Sequence, residues 1–110
     1  MAETISIDDF RKIDIRIARI KSVDPHPNAD KLYVIKLDVG PEGERQTCAG
    51  FRPYYSPEQL VGRKVAVVLN LAPAKVRGEI SETMILAGQD GPVVALLLPE
   101  KELAPGSKVY

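Results

Sequence analysis

Between two apolar, strand-like runs the chain carries Asn70, Lys75, Arg77, Ser81 and Met84 on a single connection. An amide, two cations, a hydroxyl and a thioether are thereby gathered where none is needed to fill a core. Such a set suits a ligand with phosphates and exposed base or sugar edges, and structured RNA has all three. Lysine and arginine bind phosphates and release counterions. Asparagine and serine can hydrogen-bond a ribose 2′-hydroxyl, which separates RNA from DNA. A polarizable methionine can pack on an unstacked base or ribose. Taken one at a time, each residue also has a plainer reading. Met84 heads a strand and could be core, Asn70 could cap a turn, and Lys75 and Arg77 could be a solvated pair.

Other chemistries find little support. His26 is the only histidine and Cys48 the only cysteine, and neither has a partner at metal-ligand spacing, so no metal site and no cofactor are expected. His26 reads as a loop-stabilising residue and Cys48 as a small buried strand residue. A cysteine nucleophile would need an activating base and an orienting group that the sequence does not identify. Gly40 and Gly43 are turn residues and not a phosphate loop. The expectation is a binding protein and not an enzyme. Two phenylalanines, four tyrosines and no tryptophan make a weak stacking platform. That favours binding a folded RNA by shape over threading a single strand.

The 110 residues, 45% hydrophobic and 27% charged, are read as one domain, 1–110. No apolar run approaches the ~18 residues that span a bilayer, and no signal peptide is read at the N-terminus. A lone cysteine suits the cytoplasm. The formal net charge is zero, yet it is unevenly spread. Arg11, Lys12, Arg16, Arg19 and Lys21 face only Asp14 within residues 11–21, and residues 63–77 carry Arg63, Lys64, Lys75 and Arg77 with no acid. A neutral protein can still present a basic face.

These residues need elements to hold them. Ser6 can cap a short helix with Asp8 and Asp9 in its first turn. Alternating apolar residues from Ile13 to Val23 predict a strand, and a one-residue phase slip near Ala18 predicts a bulge that bends it. Two prolines frame a loop at residues 24–30. Leu32–Val39 and Arg45–Ala49 read as a second and a third strand, joined by a turn at Gly40–Gly43. Ser56, Pro57 and Gln59 form the start signal of a second helix, which Gly62 stops. Val65–Leu71, Met84–Ala87 and Val93–Leu98 follow as strands four to six. The last of these barely alternates, so burial on both sides is expected, with a subunit interface supplying the second side. The order fits an all-β fold: a five-stranded Greek-key barrel of the OB (oligonucleotide-binding) kind with short helices and a C-terminal β extension. Beginning at Met1 and with the pattern closing by Tyr110, the sequence reads as a free chain or subunit.

Two runs, His26-Pro27-Asn28-Ala29-Asp30-Lys31-Leu32 and Asn70-Leu71-Ala72-Pro73-Ala74-Lys75-Val76-Arg77-Gly78-Glu79-Ile80-Ser81, occur in order. With them the chain resembles the tRNA-binding domain family over nearly its full length. That family includes free-standing structure-specific tRNA-binding proteins and the C-terminal domain of many methionyl-tRNA synthetases. The resemblance implies an OB-fold that recognises the outer corner of L-shaped tRNA by shape, without reading sequence. It carries Asn70, Lys75, Arg77, Ser81 and Met84 over as RNA contacts, with Lys31 as a weaker candidate at the start of the second strand. It also implies a homodimer whose interface lies outside the barrel, and methionyl-tRNA synthetase as a partner. Thr83 stands where the family usually has glycine. A related branch of chaperone-like proteins linked to secretion, which bind unfolded polypeptide, usually lacks the first run and provides the alternative function.

Overall fold

A computed structural model describes residues 3–110. Helix α1 (Ile7–Arg11) starts where Ser6 Oγ accepts the Asp9 N–H at 3.0 Å. The chain then forms β1 (Ile15–Pro25), β2 (Tyr33–Asp38) and, after a 3₁₀ turn at Gly40–Glu42, β3 (Glu44–Ala49). Helix α2 (Pro57–Leu60) opens on the expected capping box, with the Ser56 N–H donated to Gln59 Oε1 at 2.8 Å. Strand β4 (Lys64–Val68) leads into β5 (Ala74–Val76), β6 (Glu79–Ser81) and β7 (Met84–Ile85). Strands β8 (Ala87–Asp90), β9 (Val93–Leu96) and β10 (Lys108–Val109) complete the order.

The long first strand organises the rest. Along one edge it pairs with β4 through residues 15–19; along the other it pairs with β2 through residues 19–25 and with β10 at Ile15 and Arg16. The main sheet has the order β3-β2-β1-β4-β7. Its outer strands are drawn together by Glu82 N–H to Gln46 O at 3.0 Å and by Thr47 Oγ1 to Thr83 O at 2.9 Å. The result is a nearly closed, OB-like all-β barrel.

The phase slip in β1 is present in its burial: Ile15, Ile17, Ala18 and Ile20 are all buried. The ladder irregularity itself lies three residues on, between Ile20 and Ser22. The slip gives β1 two apolar faces. Ala18 and Ile20 join Ile35, Leu37, Leu60, Val65 and Val67 inside the barrel. Ile15 and Ile17 join Ala66 and Val68 on the other side, against Leu86 and Val109. Strands β1 and β4 are therefore buried on both faces, which their apolar runs require.

Three expectations are corrected. Residues 69–83 are not a plain connection but contain the β5–β6 hairpin, so the fourth strand ends at Val68. The expected fifth strand, 84–87, is divided between β7 and β8. In the run 93–98, Leu96 is buried and Val94 packs against the core, whereas Val93, Leu97 and Leu98 are exposed. Among the described residues, strand β9 pairs only with β8, and such a two-stranded ribbon offers few side chains to cover it.

Candidate nucleic-acid interface

The β5–β6 hairpin is built from three residue pairs, Ala74 with Ser81, Lys75 with Ile80 and Val76 with Glu79. Its two turn residues, Arg77 and Gly78, have φ of 48° and 95°. Positive φ at both central positions is the type I′ geometry, whose twist matches that of the flanking strands. Arg77 is the only non-glycine with positive φ among the described residues. Glycine at 78 relieves the strain at the second position.

A hairpin this short is not stable alone, and neighbouring elements hold it at both ends. At its base, Gln46 Nε2 donates to Ile80 O at 2.9 Å, and Ser81 Oγ accepts the Cys48 N–H at 3.1 Å. Near its tip, the loop between β1 and β2 takes over. His26 is buried, and its Nδ1 accepts the Asn28 N–H at 2.9 Å. Nε2 then carries the proton and donates to Val76 O at 2.8 Å. Asn28 Nδ2 donates to Arg77 O at 3.1 Å, and Arg77 Nη1 donates back to Asn28 O at 3.2 Å.

The six sequence candidates divide on this frame. Lys75 and Arg77 sit together at the exposed end of the hairpin. Met84 opens β7 with 47% of its surface exposed. Lys31 is exposed in the turn before β2, and so precedes the strand it was expected to start. Asn70 and Ser81 are engaged within the fold. The Asn70 amide accepts from Asp14 N–H at 2.8 Å and donates to Lys12 O at 2.7 Å. The Ser81 hydroxyl holds the hairpin to β3.

Ion pairing sorts the cations further. In the first basic stretch, Arg11 pairs with Asp8, Lys12 with Asp9, Lys21 with Glu44, and Arg16 with Asp14 and Glu42. In the second, Lys64 pairs with Glu102 and Arg63 Nε donates to Gln59 O. Among the described residues, Lys75 and Arg77 have no carboxylate at ion-pair distance. The sequence shows two basic stretches; the fold neutralises much of the first and leaves the hairpin end of the second uncompensated.

Beside the hairpin lies an open groove of about 440 Å³, lined by Thr47, Cys48, Phe51, Leu71, Thr83 and Met84 among others. Burial pushes the Cys48 thiol above its ordinary range, and Glu79 adds to the shift. Cys48 is half-buried and not fully buried as expected. Thr83 is buried and its hydroxyl has no hydrogen-bond partner among the described residues. Its backbone lies outside the left-handed region, so threonine is tolerated there without backbone strain.

The frame that holds the hairpin is not visible as such in the sequence. His26 and Asn28 are legible as a loop motif, but their partners Val76 and Arg77 lie 50 and 49 residues away. The usable signal is the Arg-Gly pair between short alternating segments, a hairpin signature.

A family model described as "Putative tRNA binding domain" matches residues 15–108. The chain is 52% identical over 105 residues to a methionine–tRNA ligase of Pyrococcus furiosus, covering 96% of this chain and 14% of that protein. The chain thus spans about a seventh of the length of the curated relatives it matches. Among solved structures, it superposes on a MetRS-related protein from Pyrococcus horikoshii with a TM-score of 0.91, at 27% identity, covering 99% of this chain and all of that one. A CsaA chaperone protein from Picrophilus torridus superposes with a TM-score of 0.90, at 33% identity, covering 97% and 100%.

Proposed function

The chain belongs to the tRNA-binding domain family, and from that membership we propose that it binds tRNA through the tip of the β5–β6 hairpin and the adjoining 26–32 loop. The observation that carries this reading is the pair Lys75 and Arg77. Among the described residues they have no carboxylate at ion-pair distance, and they sit on a hairpin fixed to the barrel by six hydrogen bonds from β3 and the 26–32 loop. The two loops that frame the binding face of an OB-fold are the ones that meet here. Lys31 and Met84 complete the contact set, Lys31 as a phosphate ligand and Met84 as an apolar surface for a base or ribose. Asn70 and Ser81 serve by holding the platform, with the remaining acceptor capacity of each available to RNA. Recognition is of the outer corner of the folded RNA by shape, and it is independent of sequence because backbone contacts carry no sequence information. The chain acts by binding and not by catalysis, in the cytoplasm.

We also propose that it works as a homodimer. Leu97, Leu98, Leu103 and Tyr110 are exposed around a hollow of about 560 Å³, and Ile7, Phe10 and Ile13 line an adjacent one of about 590 Å³. Contiguous apolar surface of this kind marks an interaction face, and a second copy covers it symmetrically. As a subunit or appendage, the domain adds tRNA affinity to a methionyl-tRNA synthetase.

The test is binding of unfractionated tRNA at two salt concentrations, with duplex RNA and an unfolded polypeptide as competitors. Saturable, salt-sensitive binding that duplex RNA does not displace supports the reading. The same apolar surface, together with the likeness to a CsaA chaperone, favours polypeptide binding as the second reading. Capture of the polypeptide with no tRNA binding would establish it in place of the first.

A further inference from the structure

His26 and Asn28 belong to the first of the two runs that carry the family resemblance, yet neither is among the proposed RNA ligands. We propose that they are positioning residues: a latch from the β1–β2 loop that fixes the tip of the β5–β6 hairpin and presents Lys75 and Arg77 as a preformed pair. The inference rests on the proposed tRNA binding and adds how the site is kept ready.

The latch has four hydrogen bonds with a definite logic. The buried His26 ring bridges two segments, accepting from Asn28 N–H and donating to Val76 O. Neutral imidazole is the one side-chain ring able to accept at one nitrogen and donate at the other. Asn28, set in place by that bridge, then exchanges two bonds with Arg77. One reaches the Arg77 carbonyl and so holds the turn backbone. The other uses a single guanidinium N–H, and the remaining four are available to a phosphate.

Location makes the latch consequential. The lower anchors, from Gln46 and the Cys48 N–H, act on Ile80 and Ser81 in β6. Beyond Lys75 the hairpin has only one residue pair, Val76 with Glu79, before its turn. Without the loop, the tip would hinge above β3, and the two long cationic side chains would sample many directions. Ordering a mobile loop on binding costs free energy. A latch that fixes the backbone beneath the two side chains removes that part of the cost before RNA arrives.

The test is a mutant cycle read by tRNA affinity. Asn28 is exposed, so Asn28→Ala leaves the core untouched and carries the test where a His26 variant could fail to fold. In the wild-type background, Asn28→Ala is expected to weaken tRNA binding about fivefold, the effect of one hydrogen bond. In a Lys75→Ala/Arg77→Ala background it is expected to have no further effect, because the latch acts through those two side chains. A merely structural role for Asn28 would reduce affinity equally in both backgrounds. An equal reduction, or no reduction in the wild-type background, overturns the latch while tRNA binding itself stands. Absence of tRNA binding by the wild-type protein overturns both.

Discussion

The side-chain oxygen of Asn70 accepts the backbone N–H of Asp14 at 2.8 Å, joining residues 56 apart in sequence. With the amide nitrogen bound to Lys12 O, one side chain fastens the α1–β1 junction to the end of β4. Asn70→Ala removes both bonds. Unfolding in urea is expected to show a loss of about 1–2 kcal/mol, from two hydrogen bonds of ordinary strength. The tRNA affinity of the folded variant should stay within about threefold of wild type if holding the platform is the main role.

The uncompensated pair at the hairpin tip leads to an opposite pattern. Lys75→Ala/Arg77→Ala should leave circular dichroism unchanged, cost at most about 1 kcal/mol of stability through the exposed Arg77–Asn28 bond, and weaken tRNA binding. The slope of log K against log salt should flatten by about 1 for each phosphate that the variant no longer neutralises. A titration at four or five salt concentrations measures it. An unaltered slope would put the phosphate contacts elsewhere on the barrel.

Strands β1 to β4 are legible in the sequence because each is long enough to show alternation. The β5–β6 hairpin is not legible, and its length explains why. Residues 74–76 and 79–81 are too short to display a period, so β5 and β6 read as a connection. Residue types at the site are also legible, but their engagements are not. Ser81 is bound to Cys48, 33 positions upstream, and only the fold brings β3 to the hairpin. Arg16 reads equally well as a ligand or a structural cation. In the structure it donates to Asp14 at 2.7 Å and to Gly106 O at 3.2 Å, which makes it structural.

The apolar face is open to a direct assay. Leu98 is 46% exposed and lines the hollow beneath the C-terminal segment. Sedimentation equilibrium of the wild-type chain should show a dimer, and Leu98→Glu should shift it to monomer by placing a charge in a dry contact. A dimer that survives this substitution would rule out this face as the interface.

Thr83 has a buried hydroxyl with no partner among the described residues. An unsatisfied buried hydroxyl costs about 1–3 kcal/mol, and Thr83→Val replaces it with a methyl of similar size. Thermal unfolding should show a gain of about 1 kcal/mol, because some of the cost returns as packing strain. A loss would mean that the hydroxyl makes a bond in solution.

Cys48 offers a pH test. Burial, with Glu79 second, raises its thiol above the ordinary 9.0. The folded chain therefore keeps its proton at pH values where the unfolded chain has released it. Stability from this group is full below pH 9.0 and declines as pH rises through the folded value. Alkylation by iodoacetamide at about pH 8, just below the ordinary thiol range, should be slower in the folded chain than in urea, since the thiolate is the nucleophile. Glu79→Gln should speed it.

Strand β10 meets β1 through only two residue pairs, Ile15 with Val109 and Arg16 with Lys108, and the strands run antiparallel. The outermost pair joins the start of one strand to the finish of the other. Tension applied across the two ends of the molecule would therefore part this ladder rung by rung, as a zipper opens, without ever loading its bonds in parallel. Parting it would uncover Ile15 and Ile17 on the outer side of the barrel, where Val109 packs against them.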